Sequence, residues 1–124
     1  MKVYRGKKCG KLVWLLHEGE GDLACCGEPM EELAANTTDG AKEKHVPVLE
    51  KEGNLVTVTV GSVLHPMLPE HYIEWIILET KKGIQKVDLQ PGMKPMAQFA
   101  LVDGDEVVAA YEYCNLHGLW KGVL

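Results

Sequence analysis

The chain has 124 residues, 46% hydrophobic and 25% charged, a composition that fits a folded globular protein and excludes long disorder or a low-complexity polymer. Its formal net charge of −5 makes the surface as a whole repel nucleic acid and anionic lipid, so any attraction for an anionic substrate must be local. No apolar run approaches the roughly 20 residues that span a bilayer, and Met1-Lys2-Val3-Tyr4-Arg5 leads into further charge, so a cytoplasmic protein without membrane contact is expected.

Residues 1–35 differ from the rest. They hold Cys9, Cys25 and Cys26, five glycines and a basic cluster from Lys2 to Lys11 that reads as a solvated strand face. So short a segment has too little apolar mass to fold without a staple or a partner. The adjacent pair Cys25-Cys26, in a chain expected to be cytosolic, makes metal ligation or reactive thiols a better reading than disulfides. A short helical turn is expected at Glu31 to Asn36, followed by the polar loop Thr37-Thr38-Asp39-Gly40.

Residues 36–124 read as strands. Leu55 to Val60 alternates with period two and is rich in β-branched residues, which suits a half-buried strand. Further strands are expected at Glu74 to Thr80, Ile84 to Leu89, Ala97 to Val102 and Val107 to Tyr113. Lys82-Gly83, Pro91-Gly92 and Asp103-Gly104-Asp105 punctuate them with turn chemistry. Short strands at this spacing, with no long helical period, predict an all-β antiparallel sandwich of immunoglobulin-like type.

Four of the five histidines fall in or beside the non-strand segments of residues 36–124: His45, His65, His71 and His117. Loops at one end of a sandwich converge, and a loop histidine can be aimed without breaking a hydrogen-bond ladder. Singly, each reads as a solvent-facing or hydrogen-bonded loop histidine, and Cys114 as a small buried hydrophobe. Together they form a richer donor set than a closed tetrahedral zinc site needs. Imidazole suits iron, copper, nickel or zinc, a thiolate lowers the ion's potential, and five ligands leave an octahedral ion one free position. Pro66 and Pro69 stiffen the span between His65 and His71.

Four motifs in order, Glu43-Lys44-His45-Val46-Pro47-Val48, Gly61-Ser62-Val63-Leu64-His65-Pro66-Met67, His71-Tyr72-Ile73-Glu74-Trp75 and Glu112-Tyr113-Cys114-Asn115-Leu116-His117-Gly118-Leu119-Trp120, resemble the superoxide reductase family, including desulfoferrodoxin and neelaredoxin. The resemblance implies a mononuclear non-haem iron, cycling between Fe2+ and Fe3+, with His45, His65, His71 and His117 as equatorial ligands and Cys114 as the axial one. It also implies one-electron reduction of superoxide to hydrogen peroxide, with electrons from rubredoxin or a similar small donor, and association as a dimer or tetramer. Lys44 would steer the anion and orient a proton-donating water, and Glu43 would close the sixth position of the oxidised site. The alternative is a non-catalytic iron-binding electron-transfer module with the same ligands. His17 lies outside every motif and reads as a surface histidine.

Residues 1–35 resemble the desulforedoxin-like module of the two-iron relatives, whose four cysteinates follow the pattern Cys-x2-Cys-x15-Cys-Cys. Cys9, Cys25 and Cys26 keep that spacing, but Gly6 stands at the first position. Three readings follow: no metal, a three-cysteine site, or a metal completed by another residue. The first is preferred at this point, with the segment serving folding and association.

Overall fold

A computed structural model describes residues 1–124. The chain divides into two compact units, Met1–Ala34 and Ala35–Leu124. In the first, β1 (Lys2–Arg5) lies between β2 (Leu12–Leu15) and β5 (Glu31–Glu32), both antiparallel to it. β3 (Ala24–Cys25) and β4 (Glu28–Pro29) form a minimal hairpin. The basic residues from Lys2 to Arg5 do lie on a strand, and Lys2 is ion-paired with Glu18.

The helical turn expected at Glu31 to Asn36 does not form. Glu31 and Glu32 pair instead with Arg5 and Tyr4 of β1, and Asn36 takes a left-handed φ of 63°. A helix of one turn gains too few hydrogen bonds to offset its nucleation, whereas an exposed strand edge offers partners at once.

In the second unit, α1 (Lys42–His45) precedes β6 (Pro47–Glu52), β7 (Leu55–Val60), β8 (Ile73–Thr80), β9 (Ile84–Asp88), β10 (Met96–Ala100), β11 (Val107–Cys114) and β12 (Gly118–Gly122). These seven strands form two antiparallel sheets, ordered β10-β7-β6 and β12-β11-β8-β9. Val56, Val58 and Val60 of β7 are fully buried between half-buried or exposed neighbours, as the period-two pattern requires. They meet Ile73, Ile76 and Leu78 of β8, Ala110 and Cys114 of β11 and Phe99 of β10 in one core. This is the expected sandwich, three strands over four. No helix is long and apolar enough to cross a membrane.

Candidate metal centre

Three chain segments deliver the expected donors to one place. His45 is the last residue of α1. His65 and His71 lie between β7 and β8, where Leu68 and His71 exchange backbone hydrogen bonds of 2.9 and 3.0 Å. Cys114 ends β11, and His117 sits in the turn to β12, which Gly118 closes with a φ of 79°. The Asn115 side chain ties two of these segments, accepting from Tyr72 N–H at 2.9 Å and donating to the Glu70 carbonyl at 3.0 Å.

The four imidazoles form a square. Neighbouring ring centroids are 4.7 Å apart for His45 and His65, 4.6 Å for His65 and His71, 5.1 Å for His71 and His117, and 4.8 Å for His117 and His45. The His45–His71 diagonal is 6.5 Å. Each neighbouring pair meets edge to face, with interplanar angles from 71° to 87°. Cys114 Sγ lies 3.5 Å from His65 Nε2 and 3.8 Å from His117 Nδ1. It belongs to the hydrophobic core, so the sulfur marks the core side of the square.

Hydrogen bonds select the nitrogen that two of the rings turn inward. His45 Nδ1 is 2.7 Å from the Ala41 carbonyl and His65 Nδ1 is 2.7 Å from the Pro66 carbonyl. A carbonyl can only accept, so each Nδ1 carries the proton and Nε2 presents its lone pair inward. His71 Nε2 is buried with no hydrogen-bond partner, a condition a cation would relieve. His45 Nε2 stands 3.2 Å from His65 Nε2 and 3.1 Å from His117 Nδ1. A metal–nitrogen distance of about 2.1 Å puts cis nitrogens of an octahedral ion about 3.0 Å apart. The donors are therefore spaced for a single six-coordinate ion, and a set of four imidazoles and one thiol fits iron.

Electrostatics favours the ligand forms of the rings. Burial lowers the pKa of His45 and His71 and brings His65 down to about 4, leaving these rings neutral at pH 7. Burial raises the pKa of Cys114, so this sulfur holds its proton until a cation displaces it. Glu43 and Lys44 are exposed on α1. Behind burial and His117, the positive charge of Lys44 contributes to the lowering at His71. The Glu43 carbonyl accepts from Val63 N–H at 2.9 Å and Ser62 Oγ at 3.2 Å, pinning α1 to the loop after β7.

Sequence reasoning gave Trp120 no role. Its indole stacks on His45 with centroids 4.9 Å apart, and its Nε1–H donates to the His117 carbonyl at 3.1 Å. Glu112 was also passed over, although it is fully buried two residues before Cys114 with both carboxyl oxygens unpartnered. Cys9, Cys25 and Cys26 gather separately in the N-terminal unit. His17 is exposed.

Comparison with known proteins agrees with this geometry. Residues 37–123 match the desulfoferrodoxin family model, and residues 1–33 match the model of the desulfoferrodoxin N-terminal domain. The chain is 54% identical over 120 residues to a desulfoferrodoxin of Nitratidesulfovibrio vulgaris, covering 97% of this chain and 94% of that protein. It is 37% identical over 100 residues to a superoxide reductase of Thermococcus kodakarensis, covering 67% of this chain and 87% of that one. The crystal structure of the superoxide reductase from Treponema pallidum superposes with a TM-score of 0.81 at 44% identity and 98% coverage of both chains. With family models matching both units and the donor set intact, the chain belongs to the desulfoferrodoxin family of superoxide reductases.

Proposed function

We propose that this protein reduces superoxide to hydrogen peroxide at a mononuclear iron held by His45, His65, His71 and His117 in one plane and by Cys114 on the core side. The observation that carries this reading is the square of imidazoles with one thiol on its buried face. Bound there, iron supplies a one-electron couple, with the thiolate donating charge from the core side. The balance is one superoxide, one electron and two protons to one hydrogen peroxide.

The chain's own residues do the rest. Three rings are held neutral by burial, and two are fixed in orientation by carbonyls. Lys44 supplies a local positive charge on a chain of net charge −5, drawing in the anion and orienting a water that delivers protons. Glu43, one residue earlier, would be the carboxylate available to cap the free side of the centre. Rubredoxin or another small donor returns the electron, and the protein works as a dimer or tetramer in the cytoplasm, where its four free cysteines stay reduced.

Superoxide pulsed onto iron-loaded, reduced protein tests this. Oxidation of the iron at about 10⁸–10⁹ M⁻¹s⁻¹, with one peroxide formed per iron and no dioxygen, is expected. Slow oxidation without stoichiometric peroxide makes the protein an electron carrier instead.

A further inference from the structure

The unit Met1–Ala34 is short of core. Val3 is its only buried hydrophobic side chain, and a unit with so little buried apolar surface gains more from a cross-link than a large domain does. Thiols stand ready inside it. Cys9 Sγ is 3.2 Å from Cys25 Sγ, Cys25 Sγ is 3.8 Å from Cys26 Sγ, and none is in a disulfide.

Two separate turns bring Cys9 and Cys25 together. The segment from Gly6 to Lys11 is closed by Gly10 N–H to the Gly6 carbonyl at 2.8 Å and Gly6 N–H to the Lys11 carbonyl at 2.9 Å, which presents Cys9. Cys25 ends β3 in the facing hairpin. Gly6 is buried, and a Cβ built on it would lie 2.7 Å from Cys9 Sγ. The Cys9 sulfur thus fills ground that any side chain at residue 6 would take, and the glycine lets it lean on Cys25.

Geometry also selects the pair. A disulfide joins Cα atoms about 4.4–6.8 Å apart, whereas consecutive Cα atoms lie about 3.8 Å apart, so Cys25 and Cys26 cannot bond without strain. Cys9 and Cys25 come from different turns, and their sulfurs need move only about 1.2 Å closer to reach bonding distance. Cys9 is exposed and Cys25 partly so, which admits a small oxidant. The Lys11 backbone and the Cys25 thiol hold Cys9 below the ordinary cysteine value, while sharing hydrogen bonds with Cys9 and Cys26 pushes Cys25 up to about 11. Cys9 is therefore the better thiolate of the two.

We propose that Cys9 and Cys25 are a peroxide-oxidised dithiol whose disulfide cross-links the N-terminal unit. The Cys9 thiolate attacks one oxygen of hydrogen peroxide, the O–O bond breaks and hydroxide leaves, so Cys9 becomes a sulfenic acid. The Cys25 sulfur then attacks the Cys9 sulfur, and the sulfenic hydroxyl departs with the Cys25 proton as water. In sum, two thiols and one peroxide give one disulfide and two waters, the sulfurs losing the two electrons that the peroxide gains. The bond ties residues 16 positions apart and restricts the unfolded chain. Small cellular thiols reverse it by exchange, which makes it a transient mark in a reducing compartment. Hydrogen peroxide is also the product of the reaction proposed above; only that source of oxidant rests on that reading.

The test uses the full chain with its iron already oxidised, so that the metal does not consume peroxide as a reductant. One equivalent of hydrogen peroxide is added, an alkylating reagent stops the reaction, and the peptides are weighed. Two thiols per chain should escape alkylation, joined from Cys9 to Cys25 within one molecule and released by dithiothreitol. The cross-linked chain should lose residues 1–34 to a brief digestion several-fold more slowly than the reduced chain. Cys26→Ser should form the same bond in the same yield, whereas Cys25→Ser should leave a sulfenic acid on Cys9 that dimedone traps. The proposal is overturned if Cys9 and Cys25 both remain open to alkylation, if Cys25→Ser forms as much disulfide as the parent, or if the cross-link leaves digestion unchanged. Because the peroxide is added, these results can fail while the reaction with superoxide stands, and the reverse.

Discussion

Cys114 is a core residue and the proposed sulfur donor, and the second role predicts the consequence of its replacement. Serine keeps the size but offers a poorer donor, so Cys114→Ser should abolish the thiolate-to-iron charge-transfer absorption of the oxidised protein; persistence of that colour would exclude Cys114 as the axial ligand. Lys44 is exposed and contributes little to packing. Lys44→Ala should keep full iron content while the second-order rate with superoxide falls about tenfold at low salt, and an unchanged rate would remove Lys44 from the mechanism. Glu112 gives a prediction of opposite sign. Burial lifts its pKa from 4.5 to about 9, so the folded chain keeps a proton that the unfolded chain releases, and stability drains away as pH climbs between those values. Glu112→Gln should raise the unfolding free energy of metal-free protein at pH 7 by up to about 3 kcal/mol and flatten its pH dependence; urea titrations from pH 5 to 9 would show it. All five members of the cluster that could hold the ion are legible in the sequence because each sits in a motif at a strand end or loop. Which nitrogen His45 and His65 offer is not legible, since it depends on the carbonyls of Ala41 and Pro66, whose positions only the folded backbone fixes.

Among the elements, α1 is the one whose placement matters most, for it carries Glu43, Lys44 and His45 on a single turn. It is held by close backbone contact: a Cβ on Gly61 would come within 2.6 Å of the Glu43 carbonyl oxygen. Gly61→Ala should therefore displace α1, costing about 1–3 kcal/mol and lowering iron retention under a chelator. Equal retention by variant and parent would show that α1 tolerates the shift. The strands of the sandwich divide by how plainly their patterns speak. β7 lies where Leu55 to Val60 alternates, and β8, β9, β10 and β11 fall within a residue or two of their expected bounds. β6 and β12 escaped notice: β6 begins at Pro47 and ends in the charged run Glu50-Lys51-Glu52, and β12 is bounded by Gly118 and Gly122. Those residue types signal turns when read locally, and only pairing with β7 and β11 overrides them. The absent helix at Glu31 has the same cause, since its competitor, β1, lies 26 residues upstream at Arg5.

For the molecule as a whole, the neutral histidines set the acid limit of the metal-free protein. His65 falls from 6.5 to about 4 on burial, so the unfolded chain takes up a proton in that window that the folded chain refuses. Stability contributed by this ring is complete above about pH 6.5 and is lost as pH drops toward 4. The denaturation midpoint of metal-free protein should decline over that interval; a flat profile would mean that the ring is not held neutral. Bound iron would move the decline to lower pH by competing with protons for the same nitrogen.

The square also joins distant parts of the chain, since His45 and His117 are 72 residues apart in sequence yet have facing nitrogens 3.1 Å from each other. One ion there acts as a clasp on a long loop, closing it without any covalent cross-link. Stripping the ion should release residues 61 to 72 for cleavage before the strands behind them give way. A brief digestion would then report occupancy directly: loaded molecules survive whole, and emptied ones are nicked first beside His65 and His71.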